Sequence, residues 1–287
     1  MKPIRIAHLS DLHFSSPSWR ISQFFSKRWI GNLNLLIRRR GEFVHKKLDT
    51  LPKTFLNEKI DLILLTGDFT STSHPEEFSS AVIYINELKK TGCTIFTIPG
   101  NHDQYTKSAF KKKLYYKYFP EDKQLESRQV SVYPLKNKWW LILLDTAIAT
   151  SLLSSCGDFS KKCEQALIAA LEQIPSDHSI LIANHFPLIN NDKPNKALCN
   201  SERLEGILKR FPNVKLYLHG HNHRHCIADL RTNSLPILVD SGCTSHRDNA
   251  SWNLLELEPR KCTVQGFGWN GSEKLPWKSF RTESFSW

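Results

Sequence analysis

Short apolar runs alternate with longer stretches of helical spacing through the first three-quarters of the chain. Ile4–Leu9, Leu62–Thr66, Thr94–Ile98, Ile180–Ala183 and Val214–Leu218 are largely apolar or β-branched. Runs this short and this continuous predict strands covered on both faces. Between them, Glu76–Lys90 sets Phe78, Val82, Ile85 and Leu88 on one helical face, with Gly92 just beyond its end. Ser160–Ile174 does the same with Cys163, Leu167, Ala170, Leu171 and Ile174, and Pro175 stops it. A third helix is expected over Asn200–Phe211, from a capping Asn200 to Pro212. Val130–Thr146 reads as a hairpin turning at Lys136-Asn137-Lys138, and Trp252–Leu257 and Thr263–Trp269 add further strands. The pattern predicts an α/β protein in which two mixed sheets pack together and helices flank them, with residues 1–287 forming one domain.

Each of the five apolar runs leads into a polar block. In chain order the blocks are Asp11-Leu12-His13, Gly67-Asp68, Gly100-Asn101-His102-Asp103, Asn184-His185 and Gly220-His221-Asn222-His223. Ligands of open α/β sheets gather at the carboxyl ends of strands, so a shared sheet would bring these groups to one edge. Oxygen and nitrogen donors without thiolate suit Mn, Fe or Zn, and there are enough of them for two divalent ions. Any block alone reads equally well as a polar turn or a hydrogen-bonded histidine. The information lies in their ordered conjunction.

Composition narrows the picture without choosing a substrate. Of 287 residues, 40% are hydrophobic and 23% charged, as in ordinary globular proteins. The formal net charge of +11 favours anionic partners. Seven cysteines with no CxxC pair argue against a disulfide framework or a zinc ribbon and for the cytoplasm. A membrane span or a secretory leader is not expected.

The five blocks resemble the calcineurin-like metallophosphoesterases, whose pattern is D-x-H, G-D, G-N-H-[DE], H and G-H-x-H in that order. Bacterial cyclic-nucleotide phosphodiesterases share it. The resemblance implies a four-layer fold with two packed sheets. It implies a phosphoesterase, more a phosphodiesterase than a monoesterase, that cleaves a P–O bond with a hydroxide held between two metal ions. Asp11, His13 and His223 would bind one ion, Asn101, His185 and His221 the other, and Asp68 would bridge them. His102 would face the leaving oxygen, and Asp103 would orient His102 by accepting its hydrogen bond. Gly67, Gly100 and Gly220 would let the backbone turn sharply after each strand. Three alternatives stay open: a hydrolase of the pyrophosphate in a nucleotide-linked lipid precursor, a metal-dependent nuclease, and a fold member that serves only as a scaffold.

Among the other histidines, His8 and His219 read as structural, and His45, His74 and His178 as surface. His246 is a candidate substrate contact. The stretch 19–47 is basic and rich in aromatics, with Glu42 as its only acid. It reads as a helical insertion with a solvated basic face. Its other reading is an amphipathic lid for a lipid- or nucleotide-linked phosphorylated substrate, or for peripheral contact with an acidic membrane.

Overall fold

The computed structural model describes residues 2–16, 42–151, 154–190, 192–272 and 274–287. Most of the basic aromatic stretch therefore lies outside the described residues, which include only its last six, 42–47. In chain order the described elements are β1 (Ile4–Leu9), α1 (Leu51–Asn57), β2 (Leu62–Leu65), α2 (Pro75–Lys89), β3 (Thr94–Thr97), α3 (Lys107–Lys111), α4 (Leu114–Tyr118), α5 (Lys123–Arg128), β4 (Val130–Pro134) and β5 (Trp139–Leu144). They continue with β6 (Gly157–Asp158), α6 (Lys161–Gln173), β7 (Ser179–Ala183), β8 (Leu198–Cys199), α7 (Ser201–Arg210), β9 (Val214–His219), β10 (His225–Asp229), β11 (Ile237–Ser241), β12 (Ser251–Glu258), β13 (Lys261–Trp269) and β14 (Trp277–Ser286).

Two six-stranded sheets result, ordered β14-β13-β12-β1-β2-β3 and β10-β11-β9-β7-β5-β4. The five motif-bearing strands do not share one sheet, as the sequence suggested they might: β1, β2 and β3 lie in the first, β7 and β9 in the second. Burial explains why both kinds look alike in sequence. In β7, Leu181 and Ala183 enter the apolar layer that also holds Ile6, Leu64 and Leu255 of the first sheet. Ile180 and Ile182 point the other way, onto Cys163, Leu167 and Leu171 of α6 and Leu204 and Leu208 of α7. Both faces are covered, and each fully buried aliphatic side chain contributes about 1.5–3 kcal/mol. The first sheet has a helical cover too, with Phe55 of α1 against Trp252 of β12 (5.2 Å between ring centroids).

Register then places the loops. Leu9 pairs with Leu65 and Leu65 with Thr97, so β1, β2 and β3 end level. Ala183 pairs with Leu218, so β7 and β9 also end together.

The helices start as their sequences suggest, with one exception. The Ser160 hydroxyl accepts from the Cys163 amide at the start of α6. Asn200, expected to cap α7, takes left-handed dihedrals (φ 62°) and caps nothing. Its side-chain amide instead donates to Asp158 (2.7 Å), tying α7 to β6. Nor is His74 a surface residue: it is buried and forms a capping box with Glu77 at the head of α2. His178, partly exposed, accepts from the Trp140 indole (2.9 Å). No helix among the described residues is long and apolar enough to cross a membrane.

Candidate metal centre

The loops after the level strand ends are paired with one another. The Asp11 amide donates to Gly67 O (3.0 Å), and the His13 amide to Asp68 O (2.9 Å). In the second sheet the Gly220 amide donates to His185 O (3.1 Å). The two sheets meet where the His221 amide donates to the Asp11 carboxylate (3.0 Å). Asp11, His13, Asp68, His221 and His223 all have φ between 49° and 73°. Left-handed backbone is uncommon outside glycine, and Asp, Asn and His tolerate it better than other side chains. Strain of this kind, on the order of 1–3 kcal/mol per residue, collects at functional sites. Here it turns each side chain out of its strand direction toward a common point.

All seven candidate ligands come together. Asp11, His13 and His223 form one group, and Asp68, His185 and His221 another, each with ligand atoms within 4.8 Å of one another. In the first, His223 Nε2 is 3.1 Å from Asp11 Oδ1 and 3.0 Å from His13 Nε2. In the second, His185 Nε2 lies 3.2 Å from both Asn101 Oδ1 and His221 Nδ1. Asp68 stands between them: its Oδ2 is 3.8 Å from His13 Nε2 and 3.4 Å from His185 Nε2.

The donor set fits cations. His185 Nδ1–H donates to Thr66 O (2.7 Å), and His221 Nε2–H donates to Lys196 O (3.0 Å). Carbonyl acceptors fix imidazole tautomers in this way behind a metal. The remaining nitrogens, His185 Nε2 and His221 Nδ1, then face each other with lone pairs, so a positive charge must lie beside them. Counting protein groups alone, a proton meets that demand: burial opposes charge on His185, yet the Asp68 and Asp11 carboxylates raise it to about 9. A divalent ion meets it with the proton released. Burial pushes His221 down to about 3 and lowers His13, so both offer lone pairs at neutral pH. Burial alone would raise Asp11 and Asp68, but the facing imidazoles outweigh it and hold both below the usual carboxylate range.

The expected bond between His102 and Asp103 is not formed. His102 Nδ1–H donates to Ser71 O (2.6 Å), and the ring stacks on Tyr105 (5.4 Å, 15°). The Asp103 carboxylate is buried and accepts from the amides of Gly100 (2.9 Å), Phe69 (3.2 Å) and Thr70 (2.9 Å). Adjacent side chains in a turn diverge, so Asp103 clamps the loops while His102 looks the other way. The His102 amide also donates to Asp68 Oδ1 (2.8 Å), fixing the carboxylate between the groups.

The glycines differ in their reasons. Gly67 takes a φ of +95°, but Gly100 and Gly220 have no positive φ. At Gly220 the constraint is space, because a Cβ there would run into the Ser10 hydroxyl and the Asp11 carboxylate. Gly220→Ala is expected to cost about 1–3 kcal/mol through this overpacking. A urea midpoint for the metal-free protein equal to the wild type's would contradict it.

Several residues around the site carried no sequence signal. His45, expected at the surface, stacks on Phe14 (4.6 Å, 10°), and its Nε2 lies 3.1 Å from Leu12 O. Ser71 and Thr66 act through their carbonyls, which leave no trace in residue type. His8 and His219 are buried and structural: His8 shares a hydrogen bond with Thr66 Oγ1 (3.0 Å), and His219 Nδ1 donates to its neighbour Gly220 O (3.1 Å). His246 Nδ1 accepts from the amides of Asp248 and Asn249.

A fold with paired mixed sheets and a cluster of this composition defines a metallophosphoesterase. The calcineurin-like phosphoesterase family matches residues 4–225, and the chain belongs to that family. A 3',5'-cyclic-nucleotide phosphodiesterase of Nostoc sp. is 28% identical over 225 residues, covering 77% of this chain and 72% of its own. A glycerophosphodiester phosphodiesterase of Enterobacter lignolyticus is 24% identical over 266 residues, covering 90% and 85%. Among solved structures, a dimetal phosphatase from Danio rerio superposes with a TM-score of 0.69 at 12% identity, over 100% of this chain and 99% of that one. This last likeness concerns the fold alone.

Proposed function

We propose that the protein hydrolyses a small phosphodiester with two divalent ions, drawn from Mn, Fe and Zn. Asp11, His13 and His223 hold one ion, Asn101, His185 and His221 the other, and Asp68 contacts both. The observation that carries this reading is the position of Asp68 Oδ2 between two ligand groups whose remaining members come from both sheets. Ions held there lower the pKa of water and offset the charge of a phosphate ester. The chain's own part is to place the acid. Ser71 O takes the Nδ1–H of His102, so in the imidazolium form its Nε2–H is the proton passed to the leaving alkoxide, which leaves the ring neutral with its Nδ1–H still on Ser71 O. Asp103 positions His102 indirectly, by clamping the loop that carries it.

The names of the relatives support a cyclic nucleotide or a glycerophosphodiester as substrate. The apolar layer common to both sheets supports one domain over 1–287. Seven free thiols support a cytoplasmic location.

Chelation followed by dialysis is expected to abolish hydrolysis, and added Mn²⁺ to restore it; undiminished turnover by metal-free protein refutes the mechanism. A panel of cyclic nucleotides, glycerophosphodiesters, phosphomonoesters, nucleotide-linked acylated sugars and single-stranded DNA ranks the substrate classes. Metal-loaded protein that turns over none of them is a scaffold.

A further inference from the structure

The histidines of the two ligand groups are not supported alike. His185 and His221 each have their outward nitrogen tied to a backbone carbonyl. His13 does not: its Nδ1 is buried and, among the described residues, has no hydrogen-bond partner. A metal-binding imidazole is ordinarily oriented by a bond from its second nitrogen, and losing that bond typically costs 10–100-fold in affinity. At His13 the ring plane must be set by what it packs against.

Among the described residues, three rings surround it. His102 (4.9 Å, 90°) and His223 (5.0 Å, 61°) belong to the proposed site itself. The third and nearest is Phe43, 4.4 Å away and tilted by 32°. Phe43 also meets His223 edge-on (6.0 Å, 77°), so one phenyl ring touches two of the three side chains of the Asp11 group.

Phe43 is itself held in place. It forms a β-bridge with His246. The Val44 amide donates to Ser245 O (2.7 Å), the Arg247 amide to Glu42 O (2.6 Å), and Lys47 Nζ to His246 O (3.0 Å). The same loop grips the first ligand, since Cys243 Sγ and Ser245 Oγ both donate to Asp11 O. Residues 42–47 and 243–247 thus form one platform that carries Asp11 on one side and Phe43 on the other.

We infer that Phe43 is a positioning residue that takes the place of the missing hydrogen bond at His13 and sets how tightly the Asp11, His13 and His223 group holds its ion. The inference rests on the two-ion reading. It assigns a role to the end of the basic insertion, whose aromatic residues otherwise read as packing or lid.

The test titrates metal-free, full-length protein with Mn²⁺ by calorimetry, with elemental analysis of the dialysed product. Wild type is expected to hold two ions. Phe43→Ala is expected to lose 10–100-fold in affinity for one ion and to leave the other unchanged, so that about one ion per chain survives dialysis. Phe43→Tyr is expected to restore both, and the thermal midpoint of the metal-free variants to match wild type. Two ions bound to Phe43→Ala with wild-type affinity, or an equal weakening of both, would overturn the inference. If the alanine variant does not fold, Phe43→Leu carries the same comparison: one weakened ion supports the inference and two unchanged ions overturn it. A wild-type protein that takes up no metal would instead overturn the two-ion reading.

Discussion

Asp68→Asn is expected to strip the protein of both ions and to lower phosphodiester turnover by roughly 10³-fold or more, well beyond the loss typical of an outer-shell change. The substitution is isosteric. Its amide oxygen can still accept from the His102 amide, so the loop geometry survives. What disappears is the negative charge at Oδ2, within 3.8 Å of a nitrogen in each ligand group. In the metal-free protein the substitution takes the counter-charge from the buried His185 imidazole, so the metal-free variant is expected to be less stable than wild type. Circular dichroism, elemental analysis and initial rates check the three parts. A variant that keeps two ions and wild-type rates would show that Asp68 does not join the groups.

His102→Ala is expected to lower kcat about 10²–10⁴-fold, the range for loss of a positioned acid, while both ions remain. The structure makes this a sharp test. Ligand atoms of His102, His13 and Asp68 also lie within 4.8 Å of one another, so a third ligand role is geometrically open. The two roles separate on the leaving group. An acid matters most for a poor alkoxide and least for a nitrophenolate, which departs without a proton. The loss should therefore be large on a cyclic nucleotide and small on a nitrophenyl diester. Equal losses accompanied by loss of metal would make His102 a ligand.

The sequence disclosed the chemistry of the site more fully than its architecture. Asp, Asn and His at the ends of apolar runs could be located because few other residue types ligate hard or borderline cations. The division of those runs between two sheets could not be read. Leu62–Leu65 and Ser179–Ala183 are both buried on two faces, and periodicity does not distinguish one such sheet from another. The supports of the site were hidden for a related reason. Ser71, Thr66 and Lys196 contribute carbonyls, which every residue possesses. The resemblance implies a bond from His102 to Asp103, and the divergence of side chains in a turn that prevents it does not show in residue order. β14 was missed because, of the ten residues in Trp277–Ser286, only Trp277 and Phe285 are buried, too few for an alternation to stand out. Phe43 is one aromatic among many in a basic stretch, and residue type alone does not single it out.

Each proposed ion has anchors in both halves of the sandwich: Asp11 and His13 with His223, and Asp68 and Asn101 with His185 and His221. The cations would then act as rivets as well as reagents. Every ligand that must let go when the halves part adds its binding energy to their cohesion, about 2.7 kcal/mol for an ion at a hundred times its dissociation constant. Metal starvation would silence such an enzyme and loosen its frame in the same event, exposing the unclasped protein to proteolysis before any mutation does.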